Sequence, residues 1–162
     1  MSSFSLPSLD LASLASAYAA GLSPVEVVRE VYRRIAARGA DPVWITLRPE
    51  AEVLAEAAAL AGRRAAGASL PLFGVPFAVK DNLDVAGLPT TAACPAFSYL
   101  PASDAEVVRR LRAAGALVIG KTNLDQFATG LVGVRSPYGA PSSVFNPDYI
   151  SGGSSSGSAV AV

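Results

Sequence analysis

The chain has 162 residues, of which 51% are hydrophobic, and its 13 basic and 13 acidic residues give a formal net charge of zero. This balance argues against nucleic acid or an anionic membrane surface as the main partner. The sequence has no histidine and a single cysteine, Cys94, which excludes histidine-based catalytic triads and an internal disulfide and argues against a zinc site. No apolar run reaches membrane-spanning length and no signal peptide begins the chain, so we expect a globular cytoplasmic protein.

The N-terminal part of the chain, residues 1–68, is predicted to be a helical region that packs on a larger body. Apolar residues recur there at helical spacing. Ser23 and Glu26 form a capping box with proline between them at the first helical position, which marks the start of one of these helices. The predicted elements are helices over 9–20, 24–38 and 49–66 and a short strand over 42–47.

Residues 69–162 are predicted to form the first part of an α/β core that is incomplete at its C-terminal end. A strand, a helix and a second strand at close spacing predict an α/β unit. Pro76 lacks an N–H group, which favours an edge position or an irregular form for the first strand. The helix that starts at Gly157 has no C-terminal cap, so we expect the 162 residues to be part of a longer domain. The predicted elements are strands over 73–79 and 116–119, an ordered loop over 85–103, a helix over 105–114, a short helix or turn over 124–129 and the final helix.

Lysine is scarce, because only Lys80 and Lys121 among the 13 basic residues are lysines. Arginine keeps its proton in proteins, whereas a buried lysine can lose it, so each lysine is a candidate base. Lys80 follows the first predicted strand, at the edge of the sheet where α/β proteins gather their sites. The alternative for each lysine is a helix cap or an ion pair, and for Lys121 we favour this structural role. Asp81, beside Lys80, either holds the site by hydrogen bonds or caps a turn.

A run of small residues, SGGSSSGS over 151–158, precedes the apolar residues 159–162. An isolated run of this composition is typical of a flexible linker. This run is short, however, and it joins a segment of structured character to an apolar stretch. We therefore favour a glycine-rich turn that opens a buried helix and turns hydroxyl and backbone N–H groups toward one point.

Three stretches together resemble the amidase signature family: GVPFAVKDN over 74–82, GALVIGKTNLDQFA over 115–128 and GGSSSGSA over 152–159. Their order and spacing match that family, and the resemblance covers residues 70–162. Within the family, TTAACPAF over 90–97, QFATGLVG over 126–133 and ISGGSSSGS over 150–158 look most like allophanate hydrolases. The closest competitor is the glutamyl-tRNA(Gln) amidotransferase A subunit, which usually has a second glycine where Ser156 stands.

The resemblance implies a Ser–cis-Ser–Lys triad, in which Lys80 is the base and Ser154 the bridging serine after a cis Gly153–Ser154 peptide. A desolvated lysine can be neutral, so Lys80 could take a proton through Ser154 from the nucleophilic serine. In the family that nucleophile lies beyond the position of Val162. The other serines, Ser155, Ser156 and Ser158, then position the backbone and start the helix.

The resemblance also implies substrate contacts, a fold and an activity. Thr129 and Gly130 resemble residues that line the substrate pocket. The implied fold is α/β/α with a mixed sheet flanked by helices, truncated in this chain and preceded by a helical arm. The implied reaction is release of ammonia from allophanate in urea or cyanurate breakdown.

No metal or organic cofactor is implied, and the partners are a small amide substrate and, at full length, a second copy in a homodimer. No direct nucleic-acid contact and no membrane contact are implied. The alternatives are another amidase of the family, such as the glutamyl-tRNA(Gln) amidotransferase A subunit, or a non-catalytic truncated remnant. We expect the 162 residues alone to be inactive and to self-associate through apolar surface.

Overall fold

The computed structural model describes residues 8–162. The first residues of the predicted helical region 1–68, residues 1–7, lie outside this range. The described elements in chain order are α1 (Leu11–Ala19), α2 (Pro24–Arg38), β1 (Trp44–Leu47), α3 (Glu50–Ala65), β2 (Pro76–Lys80), α4 (Glu106–Ala113), β3 (Leu117–Thr122) and α5 (Ser156–Ala161), with 3-10 turns at Pro95–Phe97 and Gln126–Ala128. Within residues 8–162, none of the helices has the length and apolar character needed to span a membrane.

The first two helices start where local signals in the sequence place them. The side chain of Asp10 caps α1 by accepting a hydrogen bond from the N–H of Ser13 at 2.9 Å. The predicted capping box of α2 is confirmed. The N–H of Glu26 donates to Ser23 Oγ at 3.3 Å, and the N–H of Ser23 donates to Glu26 Oε2 at 2.9 Å. Each of these bonds satisfies an N–H group that the helix itself cannot pair.

One compact unit is mainly helical and contains α1, α2 and α3 within residues 8–38, 49–76 and 111–117. Leu14 and Val27 are fully buried at its core, and Leu22 packs with them. Tyr18 connects α1 to the chain segment before β2, because its hydroxyl donates to the Gly74 carbonyl at 2.7 Å. Burial of such side chains is what stabilises short helices of this kind.

A second compact unit, residues 39–48, 77–110 and 118–162, carries most of the sheet. The strand order is β1-β3-β2, so β3 is central, and all of its residues are buried. β1 pairs antiparallel with β3. Gly120 allows this close approach, because a Cβ atom there would lie 2.4 Å from the carbonyl oxygen of Thr46. A cluster of buried valines from β2, β3, α4 and the loop after β2 forms the core of this unit: Val79, Val118, Val108 and Val85.

The strand boundaries differ from the sequence prediction, and β1 starts at Trp44 rather than at residue 42. β2 starts at Pro76 rather than at Phe73, because the chain turns first, and Gly74 adopts a positive φ of 70° there. Pro76 begins an edge strand, as its missing N–H predicted. β3 does not stop at Ile119 but runs on to Thr122, so Lys121 lies inside the strand rather than after it.

The long loop after β2 is ordered, as its apolar content predicted. Thr90 and Tyr99 form an antiparallel bridge in which each N–H donates to the carbonyl of the other, at 2.9 and 3.1 Å. The 3-10 turn at Pro95–Phe97 lies between these two residues in the chain. These bonds satisfy backbone groups that the loop would otherwise leave unpaired.

Candidate active site

Lys80 is the last residue of β2, and its half-buried side chain meets two serines that precede α5. Lys80 Nζ lies 2.8 Å from Ser154 Oγ and 2.9 Å from Ser155 Oγ. Both distances are those of hydrogen bonds that the amino group donates. The structure therefore brings together the two residues, Lys80 and Ser154, that the sequence singled out for catalysis.

The Gly153–Ser154 peptide bond is cis, as the resemblance predicted. Backbone hydrogen bonds hold it on both sides. The Gly153 N–H donates to the Leu131 carbonyl at 3.0 Å, and the Ser154 carbonyl accepts from the Asp125 N–H at 3.0 Å. A Cβ atom on Gly153 would lie 2.5 Å from an oxygen of the Asp125 carboxylate, so the close packing here requires glycine.

Asp125 is a fully buried carboxylate that the sequence reasoning did not identify. Its oxygens accept hydrogen bonds from the N–H of Arg135 at 2.8 Å and from the N–H of Gly133 at 3.0 Å. Through its own N–H it also holds Ser154, so it fixes two loops around the Lys80 contact. The available signal was the group of polar residues that follows the apolar start of β3, interrupted by Leu124: Lys121, Thr122, Asn123 and Asp125.

The electrostatics of the site favour a lysine that can be neutral. Burial lowers the pKa of Lys80 below its ordinary range, although the negative charge of Asp125 acts in the opposite direction. Burial also acts to raise the pKa of Asp125, but the backbone N–H groups of Arg135, Gly133 and Val132 outweigh it and keep this pKa below its ordinary value. Asp125 is therefore ionised at neutral pH, while Lys80 gives up its proton more readily than an exposed lysine.

Lys121 has a different environment, in which an anion is its partner. Its Nζ lies 2.9 Å from Asp81 Oδ1, and both side chains are fully buried. It also donates to the Pro89 carbonyl at 3.0 Å and to Thr90 Oγ1 at 3.1 Å. The other oxygen of Asp81 accepts from the N–H of Thr91 at 2.9 Å. These contacts favour the structural role that the sequence suggested for Lys121.

The two residues predicted to line the substrate pocket, Thr129 and Gly130, follow Asp125 in the chain. Gly130 is buried against this carboxylate, and a Cβ atom there would come within 2.3 Å of Asp125 Oδ2. Thr129 is exposed, and its hydroxyl donates to the Gln126 carbonyl at 2.8 Å. Neither contact joins these residues directly to the Lys80–Ser154 pair, and of the two it is Gly130 that packs against Asp125.

The two later serines of the run, Ser156 and Ser158, make no hydrogen bond to Lys80. Ser158 Oγ lies 2.7 Å from Thr122 Oγ1, and the hydroxyl of Ser156 is buried without a hydrogen-bond partner. In residues 8–162 no cluster of three or more His, Cys, Asp or Glu side chains could hold a metal ion. What the described groups can do together is move a proton between Ser154 and Lys80.

Comparison with known proteins gives consistent matches. The family model described as Amidase matches residues 26–162. The urea amidolyase of Lachancea kluyveri is 61% identical over 122 residues, which are 75% of this chain and 7% of that protein. The glutamyl-tRNA(Gln) amidotransferase A subunit of Symbiobacterium thermophilum is 43% identical over 159 residues, which are 95% of this chain and 32% of that protein.

A solved structure extends the comparison to the fold. The allophanate hydrolase of Kluyveromyces lactis superposes with a TM-score of 0.75 at 49% sequence identity, and the match covers 87% of this chain and 23% of that one. This match confirms the fold class predicted from the sequence. In every one of these comparisons the chain spans less than a third of its relative's length.

Proposed function

Because the chain belongs to the amidase family, we propose that it supplies the base and the proton relay of an amide hydrolase of the allophanate hydrolase type. The observation that carries the proposal is the 2.8 Å contact between Lys80 Nζ and Ser154 Oγ. In the proposed reaction, neutral Lys80 accepts the proton of Ser154, which in turn takes one from a nucleophilic serine. That serine attacks the amide carbonyl, and the proton passes to the ammonia that leaves as the C–N bond breaks. Water then hydrolyses the acyl group from the serine and returns its proton.

The nucleophile of this proposal comes from outside the described site. We place it in the part of the relatives' sequence that follows the matched segment, since the chain spans 7% of the urea amidolyase and 23% of the allophanate hydrolase. Ser155, Ser156 and Ser158 are not assigned this role. The 162 residues alone are therefore expected to release no ammonia.

The substrate proposed is allophanate, a small amide. Identity is higher to the urea amidolyase, at 61%, than to the amidotransferase, at 43%. Ser156 supports the same choice, because the amidotransferase proteins usually have glycine at its position. We propose that Thr129 and Gly130 contribute to the wall of the substrate pocket and that the reaction needs no metal or organic cofactor.

The test is ammonia release from allophanate by the protein expressed from its complete gene and by the 162 residues alone. Lys80→Ala and Lys80→Arg should each lower turnover of the complete protein by about a thousandfold, because neither variant has a group that can take the proton. Ser158→Ala is the matched control and should keep turnover. Full turnover in Lys80→Arg, or ammonia release by the 162 residues that Lys80→Ala abolishes, would contradict the proposal.

A second candidate function is the glutamine amidase step of an amidotransferase. The match to the amidotransferase of Symbiobacterium thermophilum favours it, because it covers 95% of this chain. Ammonia release from glutamine in place of allophanate would identify this function. A complete protein with no turnover on either amide would support the alternative of a non-catalytic remnant. Sedimentation of the complete protein would test the proposed homodimer.

A further inference from the structure

Ser155 stands at the N-cap of α5 but does not act as a cap. A serine at this position usually accepts a hydrogen bond from the helix backbone, and its hydroxyl here makes no such bond. The hydroxyl oxygen accepts from Lys80 Nζ at 2.9 Å instead. The Ser155 hydroxyl therefore hydrogen-bonds to Lys80 rather than capping the helix.

A neutral lysine amine has geometric requirements that one hydrogen bond does not meet. It carries two N–H groups and one lone pair, and rotation about the Cε–Nζ bond can place the lone pair in three staggered directions. Only the direction toward Ser154 Oγ allows the proton transfer of the proposed reaction. An acceptor that holds one N–H removes one of the two unproductive rotations, and a Ser154 hydroxyl that donates to the lone pair disfavours the other.

Ser155 is suited to be that acceptor because of its exposure. It is exposed, whereas Ser154 is half-buried. The hydroxyl hydrogen of Ser155 can therefore point to water, which leaves its oxygen free to accept from Lys80 throughout the reaction. The Ser154 hydroxyl lies 2.8 Å from Lys80 Nζ, which donates to it here, and in the proposed reaction the direction reverses, so that Ser154 donates to the neutral amine.

We propose that Ser155 is a positioning residue for Lys80, whose oxygen holds one amine N–H so that the lone pair faces Ser154. This inference rests on the proposed function, in which Lys80 is the base. It adds a role that the position of Ser155 at a helix start does not require.

The first test reads Lys80 directly and needs no turnover. Lysine labelled with ¹³C and ¹⁵N gives side-chain signals for Lys80 and Lys121, which are assigned in the complete protein by their loss in Lys80→Arg and Lys121→Met. The charged group that acts on Lys80 is Asp125, whereas Asp81, the next residue in sequence, pairs with Lys121. Ser155→Ala leaves these groups in place.

In Ser155→Ala the Lys80 signal should titrate at lower pH than in the unchanged protein, because the ammonium form loses an acceptor. Ser155→Thr, which keeps the hydroxyl, should restore the midpoint, and Ser158→Ala should not move it. The signal of Lys121 is the internal reference, since its contacts include neither serine. An unchanged midpoint in Ser155→Ala would overturn the inference.

The second test is the pH profile of ammonia release by the complete protein. Ser155→Ala should lower the plateau of kcat about tenfold and move the acidic limb to lower pH. A loss that was merely structural would lower the plateau without moving the limb. Unfolding by denaturant should be unchanged, because no cap bond is removed.

The two proposals fail in different ways. If the complete protein releases no ammonia from any amide, the proposed function fails, while the Lys80 titration still reports whether Ser155 holds the amine. If Lys80→Ala abolishes turnover but Ser155→Ala changes neither the plateau nor the limb, only the positioning role is wrong.

Discussion

Lys80 and Lys121 lie on neighbouring strands, β2 and β3, and their amino groups have different partners. Lys121 is fully buried and pairs with the Asp81 carboxylate at 2.9 Å. Lys80 is half-buried and donates to two serine hydroxyls at 2.8 and 2.9 Å. The chemical type of the two residues is the same, and so is their place near the end of a strand.

The difference between these two sites is the charge of the partner. The Asp81 carboxylate forms a buried ion pair with Lys121, and the amino group also donates to Thr90, so these contacts tie Asp81 and the loop at Thr90 to the sheet. Hydroxyl groups satisfy the hydrogen bonds of Lys80 without compensating the loss of solvation. Burial therefore lowers the pKa of Lys80, which is the direction that its proposed role as a base requires.

The largest expected effect is on the free energy of unfolding, through the ion pair between Lys121 and Asp81. In Lys121→Met the Asp81 carboxylate stays buried without its cation, which should lower the free energy of unfolding by about 3–5 kcal/mol. Lys80→Met removes no ion pair and should change it by less than about 1 kcal/mol. Denaturant unfolding of both variants, followed by fluorescence, measures the difference.

A double variant separates the lost ion pair from lost packing. Replacing Asp81 by Asn in the Lys121→Met background removes the uncompensated charge and should restore part of the stability. If Lys121→Met and Lys80→Met unfold at the same denaturant concentration, the structural assignment of Lys121 is wrong.

The comparison also shows how far the sequence could lead. Hydrophobic spacing and caps such as the Ser23–Glu26 box predicted the helices, and the α/β order followed from them, because these signals are local. Lys121 was placed after its strand, since a lysine ordinarily ends a buried segment. The strand continues through it because the buried amino group finds partners in Asp81, the Pro89 carbonyl and Thr90.

The candidate site depends on contacts between distant parts of the chain. Lys80 and Ser154 are 74 positions apart, and no periodicity relates them, so their pairing was predicted from a family resemblance. Asp125 and Ser155 were missed as site residues for the same reason. Asp125 owes its role to backbone N–H groups of Gly133 and Arg135, and backbone direction is not visible in residue types.

A smaller effect on the free energy of unfolding is expected from replacing Asp125, the carboxylate that holds the loops near Lys80 and Ser154. Asp125→Asn loses a charged acceptor for two backbone N–H groups and should lower the free energy of unfolding by about 2 kcal/mol. Removing the negative charge should also lower the pKa of Lys80 further, which the labelled-lysine titration measures. Asp148→Asn, at an exposed position, is the matched control.

The pH dependence of stability gives Asp125 a second readout. Its pKa is lowered in the folded protein, so the unfolded chain binds the proton more tightly. The contribution of Asp125 is therefore present above its unfolded pKa of about 4 and is lost as the pH falls through the folded value. Asp125→Asn should remove this part of the acid sensitivity. An acid-unfolding curve of the same shape in both proteins would contradict the assignment.

The smallest effect on stability, and the sharpest on chemistry, comes from giving Lys80 the kind of partner that Lys121 has. Ser155→Asp places a carboxylate at an exposed position beside Lys80 Nζ, and aspartate is a favourable residue at a helix N-cap. The free energy of unfolding should change by less than about 1 kcal/mol, as for other exposed ion pairs. The pKa of Lys80 should rise, because the ammonium form gains an anion. At neutral pH the complete protein should then release ammonia about tenfold more slowly, with activity recovering as the pH increases.

Ser155→Asn has the same shape as Ser155→Asp without the charge and should not raise the pKa of Lys80. If Ser155→Asp and Ser155→Asn have the same pH profile, the charge of the partner is not what distinguishes the two lysines.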